Sequence, residues 1–362
     1  MNYYALLVAL VLVTALLMHG NQGKNPKFII TACLLLFCVY GLRDTFRIGD
    51  DSANTYYGGY LASGKMTWKE LFALNIDNKG YYALNKAIFS FTNGDYQAFI
   101  SILSAYVTVC FGLLVYKYSP DPLQSILYYF GLLLFTFHFS ALKQSAAMAT
   151  LMLAFDQIFR KRPIRFVLLV LLASTFHFPA IVFLPAYLIS KIHFGKYYLF
   201  FLAVLLVVVY LFRSEILSFM FSLYHDEEEV LIDLSGVRFI RNKVLIMLII
   251  IVAAIMFRFP RKEDRVYETL LSFMGLAVVF QTYCGYNNIF ERLADYYFQF
   301  SVILLPMVFD KQADRKALFS WRMMSVVESV SPILFCSFGI VRFLLYVVGN
   351  RTLYPFYFFF QR

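Results

Sequence analysis

Charge is scarce in this chain. Of its 362 residues, 15% are Asp, Glu, Lys or Arg, against ~25% in a soluble domain, which excludes an ordinary water-soluble globule. The five cysteines are an odd number with no paired or metal-type spacing, so a disulfide framework and a thiolate metal site are excluded as well. Cys33, Cys38, Cys110 and Cys336 lie in apolar stretches and Cys284 lies near a helix end; all five read as small hydrophobes. No Gly- or Ser-rich linker, low-complexity run or internal repeat divides the chain, so residues 1–362 are expected to form one integral membrane domain. Tyr3 to Leu17 is apolar without a basic segment ahead of it, and a spanning helix is expected there rather than a cleavable signal.

What the chain has is apolar length. It is 61% hydrophobic with a mean hydropathy of +0.68, and about twelve apolar segments follow one another, several nearer 15 residues than the usual ~20. They are Tyr3 to Met18, Phe28 to Leu42, Phe99 to Tyr116, Leu123 to Phe137, Ala146 to Phe159, Phe166 to Phe176, Ala180 to Ile189, Tyr197 to Phe212, Lys243 to Phe257, Tyr267 to Tyr283, Phe290 to Phe309 and Ser325 to Val348. The expected fold is all-α: a polytopic transmembrane helix bundle with two larger outer loops, 43–95 and 213–242. Tyr81 to Phe91, carrying Asn85 and Lys86, is predicted to be an amphipathic outer-leaflet segment that does not cross.

The cations fall into two populations. Lys24 and Lys27, Lys117, Arg160 to Arg165, Lys191 and Lys196, Arg258 to Arg265, and Lys311 to Arg322 crowd into loops that alternate counting places on one side, and the positive-inside rule makes that side cytoplasmic. Orientation therefore accounts for most of the formal net charge of +10, and no nucleic acid is implied. Arg43, Arg47, Lys143, Arg238, Arg241 and Arg292 then face outward, where topology does not require them, and read as retained for an anionic ligand.

Four constellations carry candidate chemistry. Arg43 and Arg47, four residues apart, could share a helix face and grip a diphosphate bidentately, with Gly49 turning Asp50 and Asp51 back towards them; an interfacial pair and a solvated turn is the plainer alternative. Lys143 and Gln144, between two spans, offer a point charge and an amide, or a hydrated hairpin. His177, at the outer end of a span, has an unperturbed pKa suited to a general base, although such a histidine also caps helices. Arg292, Asp295 and Tyr296 lie on adjacent turns of one helix, either as a site or as an internal ion pair. Arg238 and Arg241 follow the acidic run Asp226 to Glu229 and could close over an anion; that run is expected to be solvated rather than to hold a metal. Aromatic residues make up 19% of the chain. Tyr56, Tyr57, Tyr60, Tyr81, Tyr82, Tyr283, Tyr286, Tyr296 and Tyr297 gather on the outer side, as an interfacial belt or as platforms for sugar rings.

The outer Arg43, Gly49-Asp50-Asp51 and Tyr56 stretch, Leu142-Lys143-Gln144-Ser145-Ala146-Ala147, the basic inner turn, Phe176-His177-Phe178-Pro179-Ala180, and Arg292 with Tyr296 together resemble the EpsG/Wzy-type family of bacterial polysaccharide polymerases. Lys143 stands where that family typically has arginine, and Asp51 to Tyr56 is slightly longer than the family's spacing. The resemblance implies a multi-pass glycosyltransferase of the bacterial cytoplasmic membrane that joins oligosaccharide repeats carried on polyprenyl (undecaprenyl) diphosphate, both donor and acceptor, at a site facing the periplasm or exterior. The chemistry of that reaction, a hydroxyl losing its proton and a diphosphate leaving, makes His177 the first choice of base and Asp51, beside Asp50, the second, with Arg43, Arg47, Lys143, Gln144, Arg238, Arg241, Arg292, Tyr56 and Tyr296 as the expected substrate-binding residues. No cofactor and no metal is expected, since fixed cations can stabilise a diphosphate leaving group. A Wzz-like chain-length regulator is the protein partner it suggests. A flippase for the same lipid, or a ligase passing the glycan to another acceptor, are the rival readings.

Overall fold

The computed structural model describes residues 2–18, 25–49, 55–222, 242–257, 264–285, 289–310 and 322–361, and the regular structure among them is helical. α1 (Tyr3–Met18) and α2 (Pro26–Gly41) pack together. Three shorter helices follow, α3 (Tyr57–Lys65), α4 (Trp68–Ala73) and α5 (Lys79–Phe91), ahead of the long α6 (Tyr96–Tyr118), which runs along α2. α7 (Pro122–Gly131) and α8 (Leu134–Phe137) lead to a hairpin of α9 (Leu142–Phe159) and α10 (Pro163–Phe176). A 3-10 segment, Phe178–Phe183, then precedes α11 (Ala186–Ile189), α12 (Tyr198–Leu211) and α13 (Arg213–Ser222). The chain continues as α14 (Asn242–Phe257), α15 (Arg265–Thr282), α16 (Ile289–Phe298), α17 (Ser301–Val308) and α18 (Arg322–Gly349).

Helix starts follow from local chemistry. Asn25 accepts from the Lys27 amide, Asp95 from that of Gln97, Asp121 from that of Gln124 and Asp264 from that of Tyr267. Each takes an N–H that an opening turn leaves unpaired, and the prolines that open α2 and α7 have none to lose. The interior is aromatic: Phe155 lies 4.7 Å from Phe300 between ring centroids, and Phe183 and Phe273 complete the stack at 5.3 Å from each other. The outside is apolar too. In α12 only Tyr198 and Leu202 are buried, while Leu16 is 86% and Phe338 68% exposed. Such a surface would associate in water; it belongs in lipid, and this is a membrane protein. Among the described residues Tyr96–Tyr118 and Val330–Gly349 are long and apolar enough to cross a bilayer alone, and six shorter apolar helices accompany them.

Three segments expected as continuous spans are broken. Leu123 to Phe137 divides at Leu133, whose φ is +64°, a left-handed conformation costing roughly 1–2 kcal/mol for a residue with a Cβ. Phe290 to Phe309 divides between α16 and α17, and Ala180 to Ile189 is the rest of a 3-10 segment that takes in Pro179, followed after Pro185 by a four-residue helix. Hydropathy does not register these breaks because Leu132 and Leu133 are themselves apolar and a single polar residue, Gln299, at the α16–α17 break barely changes the mean of its run. The amphipathic segment also differs in detail: Lys86 is buried, donates to the carbonyls of Gly64 and Met66, and lies over Trp68, so its charge is spent holding α5 to the turn after α3.

The bundle has two chemically distinct ends. At one, Lys117, Arg160 and the Tyr118 hydroxyl converge on Asp156, and His193 meets Glu268 at 2.5 Å. At the other lie the starts of α9 and α16 and the end of α10. α7 and α18 cross where Gly131 faces Gly339; a Cβ on Gly131 would come within 2.6 Å of the Gly339 Cα. Gly131→Val is expected to force the helices apart and cost about 1–3 kcal/mol, read as a lower thermal midpoint in detergent. Gly58→Ala, whose Cβ would meet nothing within 4 Å, leaves that midpoint unchanged or slightly raised.

Candidate functional site

Three helix ends meet in one place. At the start of α9, Lys143 donates to the Tyr82 hydroxyl at 3.1 Å and lies 4.9 Å over that ring, and the buried Gln144 amide donates to the Arg292 carbonyl at 3.0 Å. At the end of α10 the chain turns extended at His177, with φ −150°, because Pro179 cannot continue the helix. His177 Nδ1 sits 2.5 Å from the Tyr296 hydroxyl of α16, and the Tyr297 hydroxyl donates to the Val182 carbonyl at 2.6 Å. From the other side Asn78 accepts from the Phe178 amide at 2.8 Å. Gly80 is what lets α5 come so near: a Cβ there would lie 2.1 Å from the Thr175 hydroxyl.

Lys143, Gln144, His177, Arg292 and Tyr296 are thus brought together, as their outward placement suggested, with Tyr56 nearby through its edge contact with Tyr81 at 6.0 Å. Arg43 and Arg47 do not form the expected fork. Residues 43–49 are a turn rather than a helix. Arg43 is fully buried between the rings of Tyr40 and Phe139, donating to their carbonyls at 2.5 and 3.1 Å. Arg47 pairs with Asp44 at 3.7 Å and lies over Tyr357. Asp50, Asp51, Arg238, Arg241 and the acidic run 226–229 lie outside the described residues. The Arg292/Asp295 pair is not the one formed: Asp295 binds Lys243 at 2.5 Å, and Glu291 binds the same ammonium at 3.3 Å.

Tyr60, Tyr81, Tyr296 and Tyr297 are buried at 1% exposure or less, so they are packing residues rather than an interfacial belt, and Tyr60, Tyr296 and Tyr297 also hydrogen-bond through their hydroxyls. Sequence reasoning missed Asn78, hidden in a polar loop, and Lys243, which opens an apolar run and reads only as the first residue of that span. It also missed His138, which meets the Ser145 hydroxyl at 2.8 Å inside the bundle. Among the described residues no three His, Cys, Asp or Glu side chains converge as metal ligands would.

Burial, first, and then the positive charges of Arg292 and Lys143 push the His177 pKa down from 6.5 to about 3. The ring is therefore neutral at pH 7. In the tautomer whose Nδ1–H donates to the Tyr296 hydroxyl oxygen, Nε2 is the nitrogen left to accept a proton. Two cations that oppose charging of the imidazole equally favour an anion placed beside it. The site can hold a phosphate-like group, and an anion held there would offset the two cations and raise the proton affinity of the ring.

A bundle with a lipid-facing exterior and a cation-flanked histidine at one end defines a membrane protein whose polar chemistry is gathered at that end. A sequence model of the EpsG family matches residues 26–327, most of the chain, and the protein belongs to that family, which is a Wzy-like polysaccharide polymerase family. No curated relative and no solved structure matches it.

Two consequences follow for His177. Because its folded pKa lies below the unfolded value, its contribution to stability is complete above pH 6.5 and is lost as the pH falls from there towards 3. Arg292→Gln removes one opposing charge, so the His177 ring should titrate at a higher pH in that variant, followed by NMR of labelled histidine; an unmoved titration would show that Arg292 does not act on the ring.

Proposed function

We propose that this protein is a membrane glycosyltransferase that polymerises oligosaccharide repeats carried on polyprenyl diphosphate. The reaction takes place at the outer face of the bacterial cytoplasmic membrane, in a bundle of about twelve crossings, full or broken. The observation that carries the reading is the meeting of His177, Tyr296, Lys143 and Arg292 at the end of the bundle opposite the Lys117, Asp156 and Arg160 cluster. That separation is what the positive-inside rule requires of an outward-facing site.

In this reading an acceptor sugar hydroxyl attacks the anomeric carbon of the donor. The new C–O bond forms as the bond to the diphosphate breaks, and its electron pair leaves on the diphosphate oxygen. Arg292 and Lys143 stabilise that charge, in the place a metal takes in many phosphate-handling enzymes. His177 accepts the hydroxyl proton, with Tyr296 fixing its ring. Asp51 or Asp50 is the second choice for the base. Arg238 and Arg241 would close over the diphosphate, Gln144 positions Arg292 through its backbone, and Tyr56 borders the glycan. Arg43 and Arg47 support the site by bracing the loops around it. A Wzz-like regulator would set chain length.

The rival reading, a flippase, draws support from the breaks at Leu133 and between α16 and α17, since transporters build their sites on discontinuous helices. One assay separates the two. Purified protein given lipid-diphosphate repeats in liposomes is expected to lengthen them; translocation without lengthening would favour the flippase.

His177→Ala should reduce lengthening by roughly 10²–10⁴-fold. Arg292→Ala and Lys143→Ala should leave cell-surface glycan mostly as single repeats, whereas Arg160→Ala at the opposite end should be mild. Wild-type chain-length profiles in the first three variants would remove the site.

A further inference from the structure

Polymerisation by this route needs two lipid-borne glycans at once, yet the His177 mouth lies on only one face of α16. Arg292 and Tyr296 turn towards it. Glu291 and Asp295, about 100° round the helix, turn instead to Lys243 at the start of α14. There they line a second, polar cleft of ≈ 540 Å³, walled on its far side by Leu133, Arg342 and Tyr346. Below it an apolar groove of ≈ 300 Å³ runs between α14 and α18. Its walls include Ile249, Leu334 and Phe338, which are 52%, 61% and 68% exposed, so it opens sideways to lipid. Leu132, Ile246 and Arg342 border both spaces, so the two adjoin.

Arg342 stands at the junction, seven residues before the end of α18. An arginine within a spanning helix is costly and is kept where it pairs or lines a polar pathway. It donates to the Gly131 carbonyl at 2.6 Å, closing the broken end of α7, and that bond uses one N–H of a five-donor fork. The order along the cleft is apolar groove, single cation, then carboxylates with an ammonium. That is the order of an amphiphile with a hydrocarbon chain, a phosphate and a polyhydroxyl head: guanidinium matches phosphate oxygens, and carboxylates accept hydrogen bonds from sugar hydroxyls.

Resting on the polymerase reading, we infer that this cleft and groove hold the second lipid-linked substrate. Its isoprenoid chain lies between α14 and α18, its diphosphate sits at Arg342, and its sugars extend past Glu291 and Asp295 towards the rim of α16. α16 is then the partition between donor and acceptor.

The test uses the full chain in nanodiscs with a photoreactive amino acid replacing Phe338, challenged with radiolabelled polyprenyl diphosphate or the uncharged polyprenol of equal chain length. Capture of the diphosphate is expected, with Arg342→Gln reducing it by roughly tenfold or more. Arg342→Lys should restore part of it, capture of the polyprenol should be unchanged in both variants, and Arg292→Ala, which is expected to stop lengthening, should leave capture of the diphosphate at position 338 unchanged. Three results would overturn the inference: no capture of the diphosphate, an equal loss of diphosphate and polyprenol in Arg342→Gln, which would leave Arg342 only a brace for α7, or loss of capture in Arg292→Ala, which would place the lipid in the His177 mouth. Lengthening of lipid-linked repeats is followed in the same preparation. Lengthening without capture sinks this inference alone, and capture without lengthening keeps the lipid site while the polymerase reading falls.

Discussion

The Gln144 amide reaching the Arg292 carbonyl, together with the His177 ring against the Tyr296 hydroxyl, fastens α9 and α10 to α16. Both contacts are buried, and a buried polar group left without its partner costs about 1–3 kcal/mol. If either came apart, an amide, a phenol or an imidazole would be stranded. The position of Arg292 relative to Lys143 depends on this fastening, and so does the depressed proton affinity of His177, which needs burial and both cations at once.

Broken helices are how the bundle brings such groups to one end. A straight α10 running past His177 would carry the ring away from Tyr296, and the turn at Pro179 with the 3-10 segment after it keeps the two together. A straight run through Leu133 would bury the Gly131 carbonyl inside helix α7, whereas the break offers it to Arg342. Irregular backbone within a membrane is tolerated where other protein groups satisfy it, and here the satisfying groups are also the charged ones.

The all-helical class and the membrane setting were legible from composition and segment lengths, because lipid imposes both on any chain this apolar. The site was legible in part. Lys143, Gln144, His177, Arg292 and Tyr296 could be grouped since charge and polarity at the outward ends of spans need a reason, and they meet although Lys143 and Arg292 are far apart in sequence. Arg43 passed the same criterion and yet is sandwiched between Tyr40 and Phe139, because a sequence cannot tell a cation facing a mouth from one closing a loop beneath it. Lys243 and Arg342 were hidden for the opposite reason: each sits within or at the edge of an apolar run, where a single charge barely alters the mean hydropathy that defines a span. The partner that keeps Lys243, Asp295, lay in the sequence beside Arg292, a nearer cation, and only the packing of α14 on α15 and α17, which brings Lys243 to Asp295, decides between them.

The working groups share one end of the bundle, the proposed function needs that end to face outward, and sidedness is the most direct measurement of it. In a background lacking the five native cysteines, Ser140→Cys and Arg292→Cys should both react with a membrane-impermeant thiol reagent added to intact cells, while Lys161→Cys should react only after permeabilisation. Labelling of positions 140 and 292 from opposite sides, or of both only from the cytoplasm, would contradict the account.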